Sequence, residues 1–176
     1  SLWNILIDGQ AADGERYVVM SFHSGGAGAR PGADGLSATA FPSGVRNMPV
    51  EINEAISPIV FWRKEFRPDS GGDGKYRGGH GQVVEIGNRE GMPFSISATY
   101  ERTVHPARGR AGGGAGALGE LRLKQRNEVV KPLGRSTIPG DDRLVMQFPG
   151  GGGFGDPTER DGDKATAERL DGLVTE

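Results

Sequence analysis

Glycine occurs in this chain in clusters, and the clusters limit what the chain can fold into. Gly25–Gly35 reads GGAGARPGADG, Gly71–Gly81 reads GGDGKYRGGHG, Ala107–Gly119 is rich in Gly and Ala, and Gly150–Gly155 reads GGGGFG. Apolar stretches alternate with these clusters at spacings that suit short strands better than helices. With 31 Gly and 11 Pro in 176 residues, the composition lies close to that of chains that never fold. Against this stand a net charge of only −2 and apolar residues gathered in short, organised runs. The expectation is a folded chain with long Gly-rich loops and a thin core. Such a core leans on another domain, a partner subunit or a further stretch of chain.

Several classes are excluded. No apolar run reaches the roughly 20 residues a bilayer requires, and Leu2–Leu6 is too short and lacks the basic flank of a secretory signal. Without cysteine there is no disulfide framework, thiol catalysis or Cys-type zinc site, which suits a cytoplasmic protein. A pI near 6.0 with mixed charges argues against a nucleic-acid module. Ser1 in place of Met marks a processed or truncated chain; an N-terminal Ser can also act as a nucleophile through its own amine, but a boundary is the plainer reading.

The apolar spacing favours strands: Leu2–Ile7, Tyr17–Phe22, Ile59–Arg67, Gly81–Gly87, Phe94–Tyr100, Glu120–Lys124, Glu128–Leu133, Arg135–Ile138 and Arg143–Phe148. Gly81–Gly87 and Phe94–Tyr100 bracket Asn88–Met92 as a hairpin. Phe94, Ile96, Ala98 and Tyr100 share one face, with Ser95, Ser97 and Thr99 on the other. Met48–Ser57 reads as a helix with Pro49 in its first turn and Pro58 as its stop, and Lys164–Val174 as a second, polar one. Ser37–Asn47 reads as irregular. The fold class is mainly β with one or two short helices, a β-rich α+β unit spanning residues 1–176 that is divisible into lobes 1–106 and 107–176.

Gly-rich turns can form anion nests, but the specific fingerprints fail. No segment reads GxxxxGK[ST], and Pro31 stands where a dinucleotide motif needs its third Gly or Ala. The glycines of Gly150–Gly155 read best as shaping β connections, while for Gly25–Arg30 a ligand loop is equally open. There Arg30 offers a guanidinium fork for a carboxylate or phosphate, with Asp34 as an acceptor four residues on. His23 lies at a strand end just before this loop, a common address for ligand contacts. The candidate contacts for substrate or phosphate are therefore His23, Gly25, Gly26, Gly28, Arg30 and Asp34. His23, His80 and His105 form no local metal motif, so no metal ligand is assigned and the catalytic residues stay unassigned.

Four strings taken together resemble the B component of the hydantoinase/oxoprolinase family: GGAGARPGADG, NMPVEINEA at Asn47–Ala55, FRPDSGGDGKYRGGHG at Phe66–Gly81 and FPGGGGFGDPTERD at Phe148–Asp161. They occur in the family's order. The resemblance covers roughly the C-terminal third of such a B-type polypeptide. It implies a segment of an ATP-dependent cyclic-amide hydrolase (hydantoins, 5-oxoproline) or, alternatively, of a related ketone carboxylase. The competing class is a non-catalytic assembly or binding module. The resemblance further implies ATP and a divalent metal for the whole enzyme, neither bound by this segment alone. The implied partners are the remaining N-terminal part of the B-type polypeptide and an ATP-handling A-type subunit, with neither nucleic acid nor membrane involved.

Overall fold

The computed structural model describes residues 1–39 and 48–175. The irregular reading of Ser37–Asn47 therefore lies largely outside the described residues, as does Asn47 of the second family string. Among the described residues eight strands form: β1 (Leu2–Gln10), β2 (Arg16–Ser24), β3 (Ile59–Phe66), β4 (Gln82–Asn88), β5 (Phe94–Thr99), β6 (Glu120–Leu123), β7 (Leu133–Ile138) and β8 (Leu144–Gln147). Two helices accompany them, α1 (Val50–Ile56) and α2 (Gly162–Leu170), the latter preceded by a 3-10 turn at Pro157–Glu159. Among the described residues no helix is long and apolar enough to cross a membrane.

The strands make two antiparallel four-stranded sheets, ordered β2-β1-β5-β7 and β3-β4-β8-β6. Both sheets take strands from either side of residue 106. The alternation visible in the sequence supplies the core. Trp3, Ile5 and Ile7 of β1, Val19 of β2, and Phe94, Ile96 and Ala98 of β5 meet Val84, Ile86, Leu121, Leu144, Met146 and Phe148 from the other sheet. Trp3 is its anchor, with ring centroids 4.4 Å from Tyr100 and 4.5 Å from Phe148. The outer face of the second sheet is closed by its own charges. Glu85 is held by Lys124 at 2.8 Å and Arg143 at 2.9 Å, and Arg143 stacks 3.8 Å above the Trp62 ring.

Three expectations change. The segment Asn88–Met92 is not a hairpin, because β4 and β5 belong to different sheets. The turn, with Gly91 at φ +70°, throws the chain across the core. β5 then pairs with β1 (Ile7 opposite Ile96) while β4 pairs with β8. A tight turn specifies a reversal but not which edge receives the returning strand. Second, Glu128–Leu133 contributes one bridge, Val129 to Arg122, before Pro132 withholds the next donor, and β7 starts only at Leu133. Third, α2 begins earlier than expected, since Asp161 caps it by accepting from the Lys164 N–H at 3.0 Å.

Candidate functional site

The glycine clusters converge. The run Pro149–Phe154 passes through the middle of five extended segments: 25–30, 70–74, 76–81, 107–110 and 113–117. The Gly150 N–H donates to Ala117, Gly151 to Gly79, Gly153 to Gly114 and Phe154 to Tyr76, all at 2.9–3.2 Å. Its carbonyls accept in turn from Gly26, Gly72, Ala29 and Arg110. A side chain on this axis would have nowhere to go. A Cβ on Gly150 would lie 1.6 Å from the Ser70 oxygen, on Gly151 1.9 Å from Ala27, on Gly152 2.3 Å from Arg108, and on Gly153 2.0 Å from Asp73. The direction returns to the same neighbour after three residues, the repeat of an extended threefold helix. The glycines are therefore packing elements: backbones approach one another as side chains do elsewhere, and amide hydrogen bonds replace apolar contact.

The sequence-derived residues lie on and around this bundle. Gly25 and Gly26 belong to its first segment, facing Pro149 and Gly79; Gly28 is exposed. Arg30 closes a turn with Ala33 by two 3.1 Å backbone bonds, and its exposed guanidinium is unpaired among the described residues. Asp34 does not pair with Arg30. It accepts from the Arg77 N–H at 2.8 Å, from Arg160 at 3.1 Å and from Lys164 at 3.4 Å. Burial works to raise its pKa, but the Arg160 and Arg77 donors outweigh it and hold the carboxyl below its ordinary range. Arg160 and Arg77 also grip Glu168 of α2, at 2.5 and 3.0 Å, so the C-terminal segment clamps two glycine segments together.

His23 is apart from these groups, fully buried between Phe61 and Phe148, its Nε2 3.0 Å from the Ser21 hydroxyl and its Nδ1 without a partner. Burial, reinforced by Lys64, lowers its pKa to about 3, so it is a neutral imidazole at physiological pH. The structure thus brings Gly25, Gly26, Gly28, Arg30 and Asp34 to one bundle and leaves His23 in the sandwich. Sequence reasoning missed Arg77, Arg160 and Glu168, which no local pattern links to Asp34. It also missed the axial role of Gly150–Gly153. A signal was present there: four consecutive glycines exceed what any tight turn requires.

Among the described residues no three His, Cys, Asp or Glu side chains come together as a metal site. The N–H groups of Gly151 and Gly153 are spent on Gly79 and Gly114. The described residues thus present no three-ligand set for a metal, and the amides of Gly151 and Gly153 are already committed to backbone partners.

Comparison with known proteins matches residues 1–157 to the family Hydantoinase B/oxoprolinase. A Pseudomonas sp. (strain NS671) protein, named as the B component of a D-/L-hydantoinase, is 30% identical over 90% of this chain, which covers 28% of that protein. The 5-oxoprolinase 1 of Arabidopsis thaliana is 36% identical over 74% of the chain, covering 10% of its own length. The fold matches the ATP-dependent caprolactamase of Pseudomonas jessenii with a TM-score of 0.80 at 23% identity, across 97% of this chain and 32% of that one. The chain thus spans about a third or less of each of these three proteins, and the clamp residues Arg160 and Glu168 lie beyond the matched family region. By the extent of that match, this chain belongs to the hydantoinase B/oxoprolinase family.

Proposed function

We propose that this chain is the C-terminal portion of the B-type polypeptide of an ATP-dependent cyclic-amide hydrolase, acting in the cytoplasm with the rest of that polypeptide and an A-type subunit. The observation that carries the reading is family membership over residues 1–157, joined to a 30% identical hydantoinase component of which the chain covers 28%. ATP and a divalent metal are placed elsewhere in the assembly. In this reaction a poorly electrophilic ring carbonyl is activated by phosphorylation of its oxygen, so donors for an oxyanion are needed. Arg30 is our candidate, because the residue before Pro31 is restricted to extended backbone and the fork has a fixed base.

The test is reconstitution with both partners and measurement of ATP hydrolysis stimulated by hydantoins, 5-oxoproline or lactams. Turnover should require the partners; turnover by this chain alone would sink the reading. Stimulation by ketones with bicarbonate instead would identify the carboxylase branch. In the assembled enzyme Arg30→Lys keeps the charge and loses the fork. Turnover should fall about tenfold, or ~1.4 kcal/mol, with stability unchanged. A lower melting temperature with intact kinetics would make Arg30 a turn residue.

A further inference from the structure

Among the described residues the glycine bundle is one member short. Around Pro149–Phe154, neighbouring segments are joined to one another in sequence. Gly79 N–H donates to Ala27, Gly78 to Gly72, Gly114 to Asp73 and Gly116 to Ala107, at 2.7–2.9 Å. These bonds link 25–30 to 76–81, then to 70–74, 113–117 and 107–110. No bond closes the ring between 107–110 and 25–30 among the described residues. Five segments surround the axis where a threefold extended helix, with its alternating donor and acceptor directions, accommodates six.

The axis itself reports the gap. Its N–H groups point to 113–117 at Gly150, to 76–81 at Gly151, and again to those two segments at Gly153 and Phe154. The intervening Gly152 N–H is buried and has no acceptor among the described residues, while Gly155, three residues on, has left the threefold conformation with φ +80° and donates to Arg110. Gly28 gives an independent sign. Gly25, three residues earlier and so facing the same way, has no room for a Cβ because Pro149 and Ser1 stand 2.5 and 2.7 Å away. A Cβ on Gly28 would meet only the Gly152 oxygen, at 3.8 Å, and its φ is not positive. Nothing within the described residues requires glycine at position 28.

The start of β1 leads into the same gap. The Gly25 N–H donates to the Ser1 carbonyl at 2.9 Å, which extends the β1–β2 ladder onto the bundle. On the other side Trp3 donates its indole N–H to Glu101, on the chain leading to 107–110. The Ser1 hydroxyl, 2.7 Å from where a Cβ on Gly25 would stand, is buried and without a partner.

We propose that this groove seats a sixth extended segment, running antiparallel to Gly25–Arg30 on the line of β1, with glycine or alanine wherever its own threefold repeat faces Gly152. One of its carbonyls would accept the Gly152 N–H. The occupant is supplied by the part of a B-type polypeptide that this chain does not contain, and to that extent the proposal rests on the family reading above. Its test is independent of turnover. Joining a nine-residue Gly/Ala/Ser peptide to Ser1 presents the segment at an effective concentration on the order of millimolar. Hydrogen exchange at the Gly152 amide should slow about tenfold or more and the melting temperature should rise. The same extension with Val at every third position should do neither. Gly28→Val should leave the unextended chain's melting temperature unchanged yet abolish the gain, and Gly28→Ala should reduce it. Equal behaviour of the two extensions, or no protection by either, overturns the proposal. Inorganic phosphate protecting Gly152 where the peptide does not would overturn it too, and would make the groove an anion site flanked by Arg30 and Arg108.

Discussion

The two halves of this molecule solve the packing problem in opposite ways. The sandwich follows a period of two: alternate residues of β1, β5 and β8 are turned inward, and Trp3, Ile96, Leu144 and their neighbours exclude water from one another. The glycine bundle follows a period of three and has no side chains to bury. Its segments approach until a carbonyl occupies the place of a Cβ, and its cohesion is the ladder of N–H to carbonyl bonds around Gly150–Gly153. Apolar packing tolerates exchange among side chains of similar volume, because the contact is non-directional. Backbone packing tolerates no addition at all. A chain that is glycine-rich in composition need not be loose where the glycines are.

The largest effect should follow from one methyl group on the axis. Gly150→Ala places Cβ 1.6 Å from the Ser70 carbonyl, with walls on both sides, and should cost at least ~4 kcal/mol or abolish soluble expression, as read by urea unfolding. In an ordinary flexible loop the same change would stabilise by about 0.4–1 kcal/mol through the unfolded state. A neutral or stabilising result would break the distinction between the two regions.

The matching change in the sandwich removes atoms. Leu144→Ala should cost about 2–5 kcal/mol, and Leu144→Met less than ~1.5 kcal/mol. If both substitutions are equally damaging, the sandwich is as intolerant of exchange as the bundle and the contrast fails.

Acid should separate the regions by their titrating groups. His23 is held neutral in the sandwich, with a folded-state pKa near 3 against an ordinary 6.5. As pH falls below about 6.5 the unfolded chain takes up a proton that the folded chain refuses, so stability declines by about 1.4 kcal/mol per pH unit from this residue. His23→Gln should flatten the slope between pH 6 and 4 by one proton. An unchanged slope would place the acid sensitivity elsewhere, with His80, lowered by its own burial, as the next candidate.

The smallest expected effect is at the clamp on the bundle. Arg160→Met removes a donor from Asp34 and from Glu168 while Asp34 keeps the Arg77 N–H, for a cost of about 1–2 kcal/mol. The Asp34 carboxyl is held below its ordinary pKa, so its contribution is full above pH ~4 and is lost as the pH falls through its folded value. The difference between wild type and Arg160→Met should therefore shrink in acid. A gap that persists to low pH would show that Arg160 acts through packing alone.

Local pattern went far with the strands. The alternation in FSISATY identified the buried face of β5, and Pro49 and Pro58 bracketed α1, although Pro49 stands at the N-cap and not within the first turn. The four family strings placed the chain in its family because they are contiguous, and contiguity is what a sequence displays. Beyond that the sequence was silent for physical reasons. A turn at Asn88–Met92 serves a hairpin or a crossing between sheets equally well, and only the partners available at each edge decide. Asp34 was visible as an acceptor, but its donor Arg160 stands 126 residues away and arrives only when α2 folds against the bundle. Glycine's role is the sharpest case. The sequence by itself determined that Gly150–Gly153 could come close to something, since the missing Cβ is a local property. What comes close is fixed by five distant segments whose carbonyls converge on one axis, and that convergence exists only in the tertiary structure.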